Sequence, residues 1–337
     1  MGRRCSRRQF LRVGALGLLA LPLAGCGAPS GPVSKVAAET VRVALSALQP
    51  VLDPQAWTTA VGPRTFDPLF DALTFIQSDG KLRPGLALAW SQTAPATWQF
   101  RLRAGDAKFH NGEMFTPDSV RFTFDRLLRA KLPVSRLVAN VERVDVVDPA
   151  TVNIATKSPD VDLPRWISAV YMLPPGYFGR VGEQGFANQP VGTGFWMLDD
   201  FQPGAHLHLT VFRDTWRTDR GATAPPPLKR LELEVVPDVS ARLDALRALD
   251  VDVATELATD DPLKAAGFVT ETTDLGKLNA ADAGWQAAAF GSPLGSGSST
   301  LATAANLKGV TPLPNGSWWF DRVTKTALQR VAVAGGA

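Results

Sequence analysis

Few side chains in this 337-residue sequence are equipped for chemistry: it has three histidines and two cysteines. His206 and His208 stand two apart in an alternating segment, so on a strand they share one face, a spacing that can hold a metal ion. No third ligand stands beside them in sequence. A solvated strand face accounts for the pair, and no metal site is assigned. His110, within Phe109-His110-Asn111-Gly112-Glu113, has no ligating neighbour and reads as structural. Gly-x-Ser-x-Gly, His-Glu-x-x-His and phosphate-loop patterns are absent, and three histidines leave little for a triad. Neither an enzyme nor a cofactor is expected. The sequon Asn315-Gly316-Ser317 reads as coincidence.

The elements that must position these residues are legible in part. Val41–Leu45 alternates as a strand, and two prolines break the chain at Leu48–Pro54. Asp67–Ile76 has a helical pattern, followed by a turn at Ser78–Lys81. Thr97–Arg103 alternates as a strand with Trp98, Phe100 and Leu102 inward. Thr116-Pro117-Asp118-Ser119 is a helix start, and Val120, Phe124, Leu127 and Leu128 line one face of a helix to about Ala130. Strands follow at 141–147 and 151–156, then a hairpin of 195–201 with 206–212, a strand at 228–236 and a helix at 239–249 with Leu243, Leu246 and Leu249 buried. Hairpins outnumber crossovers, so an α/β body of mixed α+β type is expected.

The chain is 45% hydrophobic and 20% charged, enough apolar content for a packed core and too much for wholesale disorder. Its net charge of +3 has a local origin. Residues 1–25 hold Arg3, Arg4, Arg7, Arg8 and Arg12 and no acid, so the remainder has five fewer than 35 basic groups against 32 acidic ones. A nucleic-acid partner is therefore not expected. The arginine-rich start, the apolar run Val13–Gly25 and the small residues after it have the order of an export signal, too short to span a bilayer. Ser6–Arg12 resembles a twin-arginine signal through Arg7 and Arg8, with an arginine-rich Sec signal as the alternative. Leu23-Ala24-Gly25-Cys26 resembles a lipobox, in which the Cys26 sulfur takes a diacylglyceryl group; a buried structural cysteine is the alternative. Once residues 1–25 are removed Cys5 is gone, so no internal disulfide is expected.

Taken in order, several blocks resemble the lipid-anchored, ABC-transporter-associated solute-binding proteins of the oligopeptide, dipeptide and nickel class, solute-binding protein family 5. They are Leu52-Asp53-Pro54, Phe70-Asp71-Ala72-Leu73, Asp79–Ala87 with Trp90, Trp98–Gly105, Lys108–Val120 and Pro190–Trp196. Phe195-Trp196 stands where the family has Pro-Tyr, and Leu249-Asp250 stands where it has Gly. The resemblance covers about 41–269. It implies a periplasmic-binding-protein-like lobe of type II, in a protein that closes on its solute by a hinge.

The expected organisation is a twin-arginine and lipoprotein signal over 1–25, a tether over 26–40, an N-terminal lobe over 41–275 and a poorly ordered or degenerate tail over 276–337, with one late amphipathic segment at 320–333. Family members are longer, so the second lobe is expected to be largely missing and solute transport impaired. By the resemblance the partners are a peptide or other small solute, ABC permease subunits and the outer face of the cytoplasmic membrane, reached through the lipid on Cys26. A monomer is expected. The ligand-facing residues implied are Asp53 and Trp57 in the loop after the first strand, and Val134 and Ser135 after the capped helix. A surface-anchored, non-enzymatic interaction protein derived from such a binding protein is the alternative.

Overall fold

Val41, Val43 and Leu45 are fully buried on one side of the first strand and Ala44 on the other, as expected of a strand at the centre of a sheet covered on both faces. The computed structural model describes residues 39–59, 61–77, 80–217, 228–257, 269–274 and 298–303, with short strands at 307–308, 311–312, 318–319 and 324–325. Arg7, Arg8, Cys26, nearly all of the expected tether, the 315–317 sequon and most of the 320–333 segment lie outside the described residues.

The order is β1 (Thr40–Leu45), α1 (Val61–Phe66), β2 (Thr74–Ile76), β3 (Leu82–Pro84), β4 (Ala87–Ala94), β5 (Thr97–Leu102), α2 (Pro117–Ala130), β6 (Val141–Asp148), β7 (Thr151–Thr156), α3 (Leu163–Trp166), α4 (Pro175–Asn188), β8 (Trp196–Gln202), β9 (His206–Val211), β10 (Arg230–Val235), α5 (Val239–Arg247), β11 (Val253–Leu257), β12 (Val269–Asp274) and β13 (Ser298–Thr303). A seven-stranded sheet runs β12-β13-β11-β1-β10-β9-β8. Within it β1 lies parallel to both β10 and β11, and the other pairings are antiparallel. A second, four-stranded sheet runs β4-β5-β7-β6, all antiparallel. This is the mixed α/β body expected from the sequence. Strand β13 falls in the segment where few strand patterns are visible, yet it pairs with β11 and β12.

One hydrophobic cluster links the large sheet, α2 and the smaller sheet, through Val43, Leu52, Phe100, Phe124, Ile154, Leu209 and Leu233 among others. A smaller one joins Ala44 of β1 to Leu246 of α5 and Ala254 of β11. Arg242 is buried beneath α5, where its guanidinium donates to the carbonyls of Val236, Pro237, Thr255 and Glu256. Leu249 has φ +60°, the left-handed conformation that glycine adopts without penalty and that costs a leucine about 1 kcal/mol.

The helical pattern at Asp67–Ile76 is not a helix. Helix α1 ends at Phe66, and the carbonyls that a helix would use internally accept bonds from distant chain instead. Pro68 O accepts from Trp196 N–H, Leu69 O from Gly194 N–H, Ala72 O from Leu86 N–H and Leu73 O from Gly85 N–H. Leu69, Phe70 and Leu73 are buried from several sides, so their spacing reports enclosure rather than helical periodicity. Helix α4, not expected from a Gly-rich sequence, is interrupted at Gly182, where φ is +69° and ψ −177°.

Candidate functional site

The loop after β1 is held by a buried charge pair. Asp53 Oδ1 accepts from the Gln55 N–H at 2.9 Å and from Arg126 Nη1 at 3.3 Å, while Oδ2 accepts from Arg126 Nη2 at 2.7 Å. Arg126 projects from α2, and its Nη1 also donates to Gln55 Oε1 at 2.6 Å. The amide of Gln55 in turn donates to Thr123 O at 3.1 Å, one turn earlier on α2. Both partners of the pair are largely removed from water, where a two-pronged Arg–carboxylate contact is shorter and stronger than a neutral hydrogen bond. The rigid, well-capped α2 thereby fixes where the loop lies.

The loop then receives the segment after α2. Val134 N–H donates to Gln55 O at 3.2 Å, at the start of the 3-10 turn Pro133–Val138. Trp57 packs against Gly62, where a Cβ would come within 2.6 Å of the Trp57 Cβ, and the Arg136 guanidinium sits 5.7 Å from its ring centroid. The four expected ligand-facing residues are thus brought into one neighbourhood. Their exposure differs: Trp57 is 1% exposed, Val134 0% and Asp53 9%. Ser135 is half-buried, and Val51, Thr58 and Thr59 are exposed beside them. The sequence offered no sign of Arg126 as the centre of this arrangement, since 73 residues separate it from Asp53.

A second buried cluster is built from the blocks richest in sequence signal. The Asp71 carboxylate is 5% exposed. It accepts from the Trp216 indole N–H at 2.9 Å, the Thr193 hydroxyl at 3.0 Å and Arg217 Nε at 3.1 Å, with Arg217 Nη2 on the same oxygen as Nε. Arg103 lies 4.7 Å over the Trp216 ring. Gly192 and Gly194 pass directly over the Pro68–Leu69 backbone, leaving no room for side chains. Nearby, Tyr171 donates to Asp67 at 2.6 Å, and burial together with that carboxylate drives its hydroxyl well above the usual phenol range.

His110 belongs to this cluster and is structural. Its Nδ1 accepts from Gly192 N–H at 3.2 Å and its Nε2 faces Gly194 O at 3.0 Å, a pattern that suits the neutral ring with the proton on Nε2. Burial lowers its pKa to about 4 from 6.5. The unfolded chain therefore takes up a proton near pH 6.5 and the folded one only near pH 4, so stability is full above that window and falls with pH inside it. Between pH 7.5 and pH 5 this group is expected to remove about 2 kcal/mol. His110→Gln should flatten that part of the profile, as read from urea midpoints at the two pH values. Parallel profiles for the two proteins would refute the assignment. The rest of the block is equally structural, since Glu113 accepts from the Gly176 and Tyr177 N–H groups, both at 2.8 Å, and so caps the start of α4.

Two further surface features lie apart from these clusters. A groove of about 570 Å³, lined by Met197, Lys229 and residues 210–214, contains none of the four expected residues. On β9, His206 and His208 face the carboxylates of Asp200 and Glu234 from the flanking strands, third and fourth groups that their sequence neighbours did not reveal. No helix among the described residues is long and apolar enough to cross a membrane.

Comparison with known proteins gives a consistent picture. The family model for bacterial extracellular solute-binding proteins, family 5 middle region, matches residues 81–290. The chain is 26% identical over 218 residues to the nickel-binding periplasmic protein of Escherichia coli K12, covering 59% of this chain and 40% of that protein. It is 27% identical over 227 residues to di/tripeptide-binding protein 1 of Pseudomonas aeruginosa UCBPP-PA14, covering 58% and 41%. Among solved structures, OppA of Burkholderia pseudomallei superposes with a TM-score of 0.61 at 20% identity, covering 69% of this chain and 49% of that one. The oligopeptide-binding protein AppA of Bacillus subtilis, solved with a nonapeptide, gives 0.62 at 19%, covering 69% and 47%. The chain spans about 40% of the length of these curated relatives.

Proposed function

The chain belongs to the family 5 bacterial extracellular solute-binding proteins, and from that membership we propose that it is the substrate-binding component of an ABC importer for peptides or a similar small solute, anchored outside the cytoplasmic membrane by lipid on Cys26 after twin-arginine export through Arg7 and Arg8. Family 5 proteins capture and deliver solutes and are not enzymes. The relatives named above bind nickel or di- and tripeptides, which sets the ligand classes to try first.

The observation that carries this reading is the Arg126 brace. A buried ion pair fastens the loop after β1 to helix α2, and the Val134 N–H at the start of the following 3-10 turn bonds to the same loop. Loops held this firmly on a scaffold are where binding proteins place recognition. We assign the ligand-facing patch to Asp53, Trp57, Val134 and Ser135, with Ser135 in direct contact and the other three shaping the surface from beneath. A solute resting on this patch alone is expected to bind more weakly than one enclosed on two sides.

The test is a thermal-shift screen of the full chain against di-, tri- and oligopeptides and nickel–histidine complexes. A ligand at 100 times its Kd should add about 2.7 kcal/mol to stability and raise Tm measurably. A bulky replacement, Ser135→Trp, should abolish the shift while leaving the ligand-free Tm nearly unchanged. If no ligand shifts Tm at millimolar concentration, solute binding by this chain is excluded and the reading as a surface-anchored interaction protein takes its place.

A further inference from the structure

We propose that Asp200, His206, His208 and Glu234 form a binding site for one first-row divalent cation of the Zn2+ type, on the solvent side of the large sheet and separate from the solute-facing loops. The alternation of β9 makes the site possible. Leu207, Leu209 and Val211 point into the core, which turns His206 and His208 together to the opposite face. Their rings stack at a centroid separation of 4.1 Å with planes 15° apart. Neighbouring strands supply the acids. In register, His208 lies opposite Asp200 of β8 and His206 opposite Glu234 of β10. The close contacts run diagonally: His206 Nε2 is 2.7 Å from Asp200 Oδ2, and His208 Nε2 is 2.7 Å from Glu234 Oε1.

Donor atoms of Asp200, His206 and His208 all lie within 4.8 Å of one another. Four-coordinate zinc with bonds of about 2.0–2.2 Å needs ligand atoms roughly 3.4 Å apart, so these three groups must draw together by side-chain rotation, and Glu234, which touches His208 Nε2, stands where it can supply a fourth ligand. The side chains of His206 and His208 are 19% and 27% exposed, open enough for an ion to enter and enclosed enough to limit their rotamers. Two imidazoles with two carboxylates are a borderline N/O set that favours zinc or copper over calcium and magnesium, and the two acids match the ion's charge. The nearby ion pair between Arg230 and Asp199 occupies the one basic group on the adjoining stretch of β10, so Arg230 does not compete for Asp200.

The experiment is a titration of the chelator-treated full chain with ZnCl2 at pH 7.5, followed by calorimetry and by competition with a chromophoric chelator. One equivalent is expected at micromolar Kd, weakened at least 100-fold in His206→Ala/His208→Ala and at least tenfold in Asp200→Asn. Replacing Zn2+ by Co2+ should give the visible absorption of a four-coordinate ion, and this should be lost in the same variants. If the double variant fails to fold without metal, His206→Gln and His208→Gln separately keep the side-chain volume and should each weaken binding at least tenfold. Failure of the unaltered chain to take up zinc at 100 µM, or equal binding by the histidine variants, overturns the site and leaves the four residues as an ion-pair ladder.

Discussion

Asp71→Asn is expected to lower the unfolding free energy by about 3–5 kcal/mol, enough to unfold much of a protein whose total stability lies in the usual range of about 5–15 kcal/mol. The carboxylate receives Trp216, Thr193 and two donors of Arg217 in a region almost closed to water. An amide at that position keeps the shape and loses the charge, so the buried Arg217 guanidinium loses the carboxylate that it meets with two donors. Most of the cost is the lost charge attraction in a buried setting rather than the hydrogen bonds themselves. Asp71→Asn/Arg217→Met, which removes both charges, should therefore recover a large part of the loss. Equilibrium urea unfolding of the two variants beside the unaltered protein measures both quantities. A loss below 1 kcal/mol in the single variant would show that water or movement relieves the cluster.

Gly192→Ala is expected to be comparably damaging, by about 3 kcal/mol or more, although it adds only a methyl group. A Cβ there would stand 2.8 Å from Phe70 Cδ1 and 2.9 Å from the Leu69 carbonyl carbon, and nearer still to the Leu69 oxygen. Neither strand of chain can withdraw. Leu69 O accepts from Gly194 N–H at 2.9 Å, Pro68 O from Trp196 N–H at 3.1 Å, and Gly192 O from His110 N–H at 2.8 Å. Opening the contact breaks several of these bonds at once. Gly112→Ala is the control, since its φ of +84° costs about 1 kcal/mol in backbone strain while its Cβ meets nothing within 4 Å. Thermal unfolding should rank the two variants far apart, and similar losses would show that conformation rather than contact decides at both positions.

These two variants also show what the amino-acid sequence discloses. Helix α2 was legible because Thr-Pro-Asp-Ser is a local signal; Ser119 Oγ accepts from the Thr116 N–H at 3.3 Å and Thr116 is extended, as a cap should be. The β6–β7 and β8–β9 hairpins were legible because alternation and turn residues are local too. The segment 67–76 misled because its apolar spacing arises from enclosure both by residues 85–86 and by residues 194–196 more than 100 positions away, and α4 was hidden by its glycines. The resemblance to the solute-binding family singled out Asp53 and Trp57 in one loop and Val134 and Ser135 in another. Resemblance could not convey that Asp53 is held by Arg126, nor that the most specific blocks spend their polar groups on one another. His110 and Glu113 bind backbone, while Asp71 binds Thr193, Trp216 and the buried Arg217. Partners across strands are the least visible: Asp200 and Glu234 reach the histidines only through sheet register.

Strand β1 has a consequence for how the molecule is made. It is locked on one edge by β10 and on the other by β11, and the Arg42 N–H bonds to Asp252, 210 residues further along the chain. A ribosome has emitted most of the body before β1 can find either neighbour, so the sheet has no centre while synthesis proceeds. The smaller sheet closes earlier, since its four strands all lie between 87 and 156. Such distant pairing makes for slow assembly.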